Sequence, residues 1–145
     1  MIKTISEGEV GVFLSLLPYY YQHIMKYPNS LLSRAYGLFS VEIAGISKIN
    51  FIMMENTFMN FETDQIVYKK YDLKGSTIKR EVKNPNADVF KDINYLKSND
   101  AFLFMSPERK SQLIKQIKAD ITLLSNQNIM DYSILLGIGT IKPKL

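Results

Sequence analysis

The stretch YDLKGSTIKREV (71–82) passes from strand-like residues through a glycine into mixed charge. Between residues 66 and 83 the chain has six basic and two acidic residues, an excess of four positive charges. The whole chain of 145 residues has a net charge of +4, so the remainder is balanced. This concentration of charge predicts an anionic ligand near the segment. The charged residues are Lys69, Lys70, Lys74, Lys79, Arg80 and Lys83, with Asp72 and Glu81.

The composition limits the classes of function. The content of 46% hydrophobic and 22% charged residues is typical of one soluble globular domain. There is no cysteine, and His23 is the only histidine, so a thiolate metal site and a Ser-His-Asp triad both lack parts. We predict no metal ligand from the residue pattern. No apolar run reaches the length of a membrane span, and we expect a cytosolic chain.

The pattern of apolar residues predicts an α+β fold with helices flanking an antiparallel sheet. A first helix begins with a capping box at Ser6 and Glu9 and ends before Pro28. A second begins at Ser106 with Pro107 in its first turn and ends near Asn126 or Asn128. The predicted apolar faces are Val10, Phe13, Leu14, Leu17, Tyr21 and Ile24 on the first helix, and Leu113, Ile114, Ile117, Ile121 and Leu124 on the second.

The strands are predicted from runs of β-favouring residues. Segments 35–43 and 48–56 form an antiparallel pair around a turn at Ala44 and Gly45, and segment 65–75 is a third strand. Segment 76–82 fits either a fourth strand or a loop leading out of the sheet. We predict a long loop over 85–100 and a buried final strand over 128–141.

Lys3 is the first candidate for chemistry, because it lies in a β-favouring segment just before a helix. Kinase-like sites place a phosphate-binding lysine on a strand and pair it with an acid of the next helix, for which Glu7 and Glu9 are available. The alternative is a solvated lysine near the terminus.

Asp131 and the pair Asp72 and Lys74 are further candidates. A carboxylate among apolar residues at 129–136 needs a partner, so Asp131 is either a catalytic acid–base residue or a structural acid that is capped or paired. Asp72 and Lys74 would share one face of a strand, either facing a ligand or protecting a sheet edge. No Walker-type loop and no nucleic-acid-binding motif is present, so we expect no nucleic acid partner.

Two stretches, YDLKGST (71–77) and IMDYSILLGI (129–138), resemble the signature motifs of the phosphatidylinositol phosphate kinases. Further stretches are similar to other parts of that family in the same order, and together they cover nearly the whole chain. They are MIKTIS (1–6), FLSLLPYYYQHIMKYPNSLLSRAYGLF (13–39), INFIMMEN (49–56) and VFKDINYL (89–96).

The resemblance implies a role for each candidate residue. Lys3 would contact the phosphates of ATP, and the hinge would receive the adenine. Lys74 would lie beside the transferred phosphate, and Asp131 would act as the catalytic aspartate near the substrate hydroxyl. The hinge residues are Met54, Glu55 and Asn56, and the residues for the phosphoinositide head group are Lys79 and Arg80.

The resemblance also implies the function and its setting. The chain would be part of a kinase domain, with a protein-kinase-like N-lobe and the start of a C-lobe. By the same resemblance, residues 1–145 would lack the family's glycine-rich loop upstream and its activation segment downstream. Such an enzyme uses ATP and Mg²⁺ to phosphorylate the inositol ring of phosphatidylinositol phosphate.

The same resemblance places the protein at the cytosolic face of membranes, with the plasma membrane as the expected one. An anionic membrane surface and a homodimer are the further expected partners. The alternative is a non-catalytic remnant that binds phosphoinositides or anionic membranes.

Overall fold

The computed structural model describes residues 1–58, 65–98 and 104–141, which belong to two compact units. The first unit comprises Met1–Asn56 and Ser106–Ile129, and the second comprises Thr57–Met105 and Met130–Leu145. The arrangement of helices and small, mainly antiparallel sheets confirms the predicted α+β class. The elements in chain order are β1 (Ile2–Ile5), α1 (Glu7–Lys26), β2 (Ala35–Ile43), β3 (Ile46–Met54), β4 (Gln65–Leu73), β5 (Phe90–Lys91), α2 (Asp92–Leu96), α3 (Pro107–Asn126) and β6 (Ile134–Ile141).

The ends of the two long helices are confirmed. The Ser6 N–H donates to the Glu9 carboxylate at 2.7 Å and the Glu9 N–H donates to the Ser6 hydroxyl at 3.3 Å, which is the reciprocal capping box. At the start of α3 the Ser106 hydroxyl accepts from the Arg109 N–H at 3.3 Å. Within the described ranges no helix is long and apolar enough to cross a membrane.

The buried face of α1 is rotated from the predicted one. Three predicted members are exposed, namely Leu14, Leu17 and Tyr21. The predicted members Val10, Phe13 and Ile24 are half-buried, and the inward positions also include Leu16, Tyr20 and His23. Spacings of three and four fit both stripes, so periodicity alone could not choose between them. The observed face includes the polar residue His23, because its imidazole contacts the buried Asp120 of α3.

The buried face of α3 also differs from the predicted one, because Asp120, the partner of His23, lies on it. Ile114 and Ile121 are exposed at 42% and 39%, whereas Gln116 is half-buried and Asp120 is only 5% exposed. The predicted all-apolar face is therefore wrong at those two isoleucines. A face that contains polar residues cannot be found by counting apolar ones.

A buried carboxylate joins the helices of the first unit. Asp120 Oδ1 lies 2.6 Å from His23 Nε2 and accepts from the Ser30 hydroxyl and the Gln116 amide, both at 2.8 Å. Its Oδ2 accepts the Leu31 N–H at 2.8 Å. Burial alone would raise the pKa of Asp120, but these hydrogen bonds, led by His23, lower it. The aspartate thus ties α1, α3 and the segment after α1 together.

The sheet of the first unit has the order β1-β3-β2, and all its pairs are antiparallel. The predicted hairpin turn is confirmed, with Gly45 in the left-handed region at φ 81°. Ile52 is buried on the same sheet face as Asn50, whose amide donates to Glu7 of α1 at 2.6 Å. Exposed apolar side chains on the opposite face are Ile2, Phe39, Val41 and Ile49.

The second unit contains a separate sheet of order β5-β4-β6, so β4 does not continue the first sheet as predicted. The β4–β6 pair is antiparallel and the short β4–β5 pair is parallel. Tyr71 of β4 is 2% exposed, with its ring 5.2 Å from that of Tyr95 and 6.1 Å from that of Phe90. This aromatic cluster is the core of the second unit.

Two further predictions need correction. Segment 85–100 is not only a loop, because it carries β5 and α2, and residues 99 and 100 lie outside the described residues. The final strand begins at Ile134, not at residue 128, and Ile134 and Leu135 are 46% and 43% exposed. Segment 76–82 is a loop, the second of the two forms predicted for it. The apolar run over 128–141 does not show by itself where the strand begins.

The Asp120 cluster predicts a large stability effect. Asp120→Ala leaves His23, Ser30 and Gln116 without their acceptor, so we expect the free energy of unfolding to fall by about 3 kcal/mol. Chemical denaturation followed by circular dichroism measures it. The control Glu42→Ala removes an exposed acid of β2 and should change the free energy by less than about 0.5 kcal/mol. Equal effects of both substitutions would contradict the role of Asp120.

Candidate active site

The second unit brings Lys74 and Asp131 together. Lys74 follows the last residue of β4, and Asp131 comes shortly before the first residue of β6. Since Leu73 pairs with Ile134 in the antiparallel ladder, the end of β4 and the start of β6 lie at the same edge. The Lys74 ammonium and the Asp131 carboxylate form an ion pair there.

Asp131 is not buried, contrary to the expectation from its apolar neighbours. Its side chain is 82% exposed, whereas that of Lys74 is 25% exposed. Its backbone has φ 62°, a left-handed conformation that aspartate adopts more readily than most residues. The carboxylate therefore projects into solvent from a bend in the segment before β6.

Asp92 of α2 holds the backbone of the segment that carries Lys74. Its Oδ1 accepts the N–H groups of Lys74 at 3.0 Å and Gly75 at 2.8 Å, and its Oδ2 accepts Nε of Arg80 at 2.8 Å. Burial by itself would raise the pKa of Asp92, but the hydrogen bonds from Arg80, from Gly75 and from its own and the Lys74 N–H groups lower it to about 2. Asp92 is therefore a carboxylate at neutral pH.

Arg80 lies inside this network. Its guanidinium also donates to the Asp72 carbonyl and, at 3.1 Å, to the Asp72 carboxylate, and its side chain is 11% exposed. Burial would raise the pKa of Asp72, but hydrogen bonds from Ser133 and Arg80 lower it. Since Asp72 and Asp92 occupy the guanidinium, this geometry favours a structural role for Arg80. Its head-group role stays a prediction.

Lys79 differs from Arg80 in being exposed. It lies at the turn of the loop with φ 56°, next to Ile78, which is 79% exposed. Its ammonium is available to an anion from solvent. Its predicted role with the head group therefore agrees with its position, and it stays a prediction.

In the first unit Lys3 lies on β1 opposite Ile52 of β3, so the predicted strand position is confirmed. Within residues 1–58 neither expected acid is its ion-pair partner. Glu7 accepts from Asn50, and its other oxygen lies 3.7 Å from Nζ of Lys48. The backbone N–H and the hydroxyl of Ser6 account for most of the lowering of the pKa of Glu9, and Lys3 contributes least.

Met54 is the last residue of β3, and Glu55 and Asn56 follow it directly. All three predicted hinge residues are half-buried. The Met54 N–H donates to the Met1 carbonyl at 2.9 Å, and the Met54 carbonyl accepts from the Met1 amino group at 2.7 Å. The Glu55 N–H donates to the Arg34 carbonyl at 2.7 Å. These three backbone groups therefore already have hydrogen-bond partners within the first unit. The hinge assignment of Met54, Glu55 and Asn56 stays a prediction.

The acidic side chains near Lys74 are the residues that could bind a metal ion. Among the described residues, no group of three or more His, Cys, Asp or Glu side chains could hold one. The acids nearest Lys74 are instead occupied by cations and backbone N–H groups. These described residues alone do not form a complete Mg²⁺ site.

Comparison with known proteins identifies the family. A family model described as phosphatidylinositol-4-phosphate 5-kinase matches residues 1–144. The chain belongs to this kinase family. It is 39% identical over 142 residues to a probable phosphatidylinositol phosphate kinase of Dictyostelium discoideum, covering 95% of this chain and 19% of that protein.

Other members of the 5-kinase family give similar values. Identity is 38% over 140 residues to phosphatidylinositol 4-phosphate 5-kinase 1 of Arabidopsis thaliana, covering 95% of this chain and 18% of the relative. Identity is 36% over 154 aligned positions to the phosphatidylinositol 4-phosphate 5-kinase type-1 beta of Gallus gallus, covering 100% of this chain and 27% of the relative. The chain thus spans about a fifth to a quarter of the length of these relatives.

Sequence reasoning did not assign roles to Asp92, His23 and Asp120. Asp92 is the first residue of a five-residue helix inside a segment that was predicted to be a loop, so its place in a helical first turn was not predicted. His23 interrupts an apolar stripe on α1 and Asp120 interrupts one on α3. A polar residue on the buried side of each helix is the signal that could have indicated a pair.

The low pKa of Asp92 predicts a pH dependence. Because the folded-state pKa of about 2 lies below the ordinary 3.8, the stability from Asp92 is present above about pH 4 and is lost as the pH falls towards about 2. We expect Asp92→Asn to flatten this part of the curve of unfolding midpoint against pH. Asp88→Asn, at an exposed position of the same segment, should keep the wild-type curve. A wild-type acid slope in Asp92→Asn would contradict the assignment.

Proposed function

We propose that this chain is part of a lipid kinase that transfers the γ-phosphoryl group of ATP to an inositol hydroxyl of a phosphatidylinositol phosphate. The observation that carries the proposal is the Lys74–Asp131 ion pair at one sheet edge. The two residues come from segments 57 positions apart, and both lie in the motifs that resemble the family's signatures. The names of the relatives, which are phosphatidylinositol 4-phosphate 5-kinases, support the same class of reaction.

The pair contains the groups that phosphoryl transfer needs. Catalysis of this reaction consists mainly of positioning and of neutralising phosphate charge. In our proposal the Asp131 carboxylate accepts the proton of the attacking inositol hydroxyl. The Lys74 ammonium, which lies against that carboxylate, neutralises the transferred phosphoryl group. The high exposure of Asp131 gives the hydroxyl access to the carboxylate.

The nucleotide site is assigned to the first unit. Lys3 would bind ATP phosphates, and Met54, Glu55 and Asn56 would border the adenine. Lys3 lies opposite Ile52, two residues before Met54 in the same antiparallel sheet, so these groups are about 7 Å apart along the strand. This spacing is compatible with one nucleotide contacting both. Mg²⁺ remains part of the proposal, held by ligands beyond those that the described residues supply, and it would further neutralise phosphate charge.

The lipid substrate places the protein at a membrane surface in our proposal. Lys79 and Lys83 are exposed in the loop after Lys74 and would contact an anionic head group or leaflet. We propose peripheral attachment at the cytosolic face, with the plasma membrane as the expected site. Homodimer formation is also proposed, supported by the exposed apolar face of the first sheet formed by Ile2, Phe39 and Ile49.

A second candidate function is phosphoinositide binding without catalysis. It is favoured by one observation, the engagement of the Met54 and Glu55 backbone groups in hydrogen bonds within the first unit. A protein of this kind would bind anionic vesicles but show no detectable affinity for ATP. Titration with ATP, followed by calorimetry, separates the two functions.

The proposed roles predict the effect of single substitutions on transfer. Lys3→Met and Asp131→Asn should each lower kcat by at least about 100-fold, because each removes a charge that acts on the reacting groups. The assay is ³²P transfer from ATP to vesicles containing phosphatidylinositol phosphate, by the chain expressed with its native flanking sequence. Lys118→Met and Asp88→Asn, both at exposed positions, serve as matched controls. Full activity in either test variant would refute its assigned role.

The exposed loop predicts an effect on membrane binding. Lys79→Gln should weaken partition onto anionic vesicles about fivefold, the effect of losing one lysine near the surface. Vesicle sedimentation at low and at physiological salt measures it, and higher salt should reduce the difference. The control is Lys118→Gln, which removes one positive charge from α3 and leaves the loop unchanged. An equal loss in both variants would show that total charge matters and that the loop does not.

A further inference from the structure

The Asp92 carboxylate has no role in the chemistry proposed above, yet it binds the segment that carries Lys74. Its Oδ1 accepts two successive backbone N–H groups, of Lys74 at 3.0 Å and Gly75 at 2.8 Å. Both residues lie beyond Leu73, where β4 ends. The strand ladder therefore does not hold them, and the contact with Asp92 replaces it.

The second oxygen of the Asp92 carboxylate binds a later part of the same loop. Oδ2 accepts a hydrogen bond from Nε of Arg80 at 2.8 Å. The same guanidinium also donates to the carboxylate of Asp72 at 3.1 Å. Two residues further along α2, the Asn94 side chain accepts the Val82 N–H and donates to the Val82 carbonyl, both at 2.9 Å. The start of α2 thus binds loop 74–82 at its beginning and at its end.

We propose that Asp92 is a positioning residue, which fixes the backbone of Lys74 so that its ammonium lies against Asp131. The catalytic consequence of this inference rests on the proposed function, because it assumes that Lys74 neutralises the transferred phosphoryl group. The structural consequence does not. A lysine side chain has four rotatable bonds, so the place of its ammonium depends on where its backbone is held.

The chemistry of the site requires a carboxylate. Asp92 is 7% exposed and receives donors on both oxygens. An asparagine could keep one oxygen towards the Lys74 and Gly75 N–H groups. It would then direct its NH₂ group at Nε of Arg80, which is also a donor. Asp92→Asn therefore removes the Arg80 contact while leaving the size of the side chain unchanged. It also weakens the contacts to the Lys74 and Gly75 N–H groups, because a neutral amide oxygen is a weaker acceptor than a carboxylate.

The first test does not depend on activity. The folded chain is treated with a limiting amount of an amine-acetylating reagent, and modification of each lysine is measured by mass spectrometry. Asp92→Asn should increase modification of Lys74 about threefold, the change expected when an exposed ion pair is lost. Lys79 is already exposed and should not change, so it is an internal control. Asp131→Asn should also increase Lys74 modification, because it removes the partner directly.

The outcomes of this test are distinct. Asp88→Asn should leave Lys74 at the wild-type level. The proposal is overturned if Asp131→Asn raises Lys74 modification and Asp92→Asn does not. If Asp92→Asn fails to fold, hydrogen exchange of the unaltered chain decides. The Lys74 and Gly75 amides should then exchange at least about tenfold more slowly than in an unstructured peptide, and unprotected amides would overturn the proposal.

The catalytic consequence is tested by kinetics in the ³²P-transfer assay. Misplacement of a reacting group by about 1 Å costs up to about 100-fold, so Asp92→Asn should lower kcat by about 10- to 100-fold. The KM values for ATP and lipid should stay within about twofold of wild type. A raised KM at unchanged kcat would overturn the positioning role. Absence of transfer by the wild-type protein would count against the proposed function instead, and the labelling result would still decide whether Asp92 positions Lys74.

Discussion

The carboxylate of Asp92 accepts hydrogen bonds from donors on both sides of the loop that follows β4. Burying a charge costs several kcal/mol unless donors satisfy it, and here two backbone N–H groups and one guanidinium do so. The loop can therefore hold one conformation without a strand ladder. The position of Lys74, and through it the contact with Asp131, depends on this single side chain. The same contacts occupy Arg80, so Lys79 and Lys83 carry the accessible positive charge of the loop.

The first unit is organised by a similar device. Asp120 accepts from His23, Ser30, Gln116 and the Leu31 N–H, so a helix, a second helix and a loop meet at one buried carboxylate. Apolar burial is limited in both units, since Ile52 of the first and Tyr71 of the second are the buried hydrophobic residues among the described ones. Polar contacts with defined directions therefore carry much of the specificity of packing in each unit.

The candidate catalytic residues lie on loops and strand ends, where the scaffold positions them. The antiparallel pairing of β4 with β6 places residues 74 and 131 at one edge, and the left-handed backbone of Asp131 directs its carboxylate outwards. In the first unit the pairing of β1 with β3 places Lys3 near the end of β3 in the same way. A family that keeps these pairings can keep the relation of its charges while other surface positions vary.

The sequence by itself determined the α+β class, the ends of both long helices, the hairpin at Gly45 and the family to which the chain belongs. These features depend on local signals, such as the capping residues Ser6 and Ser106 or short motifs read in order. Tertiary structure decided the division into two sheets, the inward faces of α1 and α3, the exposure of Asp131 and the role of Asp92. The inward faces and the role of Asp92 depend on which distant group satisfies a polar side chain. The division into two sheets and the exposure of Asp131 depend on which strands pair. Hydrophobic periodicity carries no information about either kind of partner.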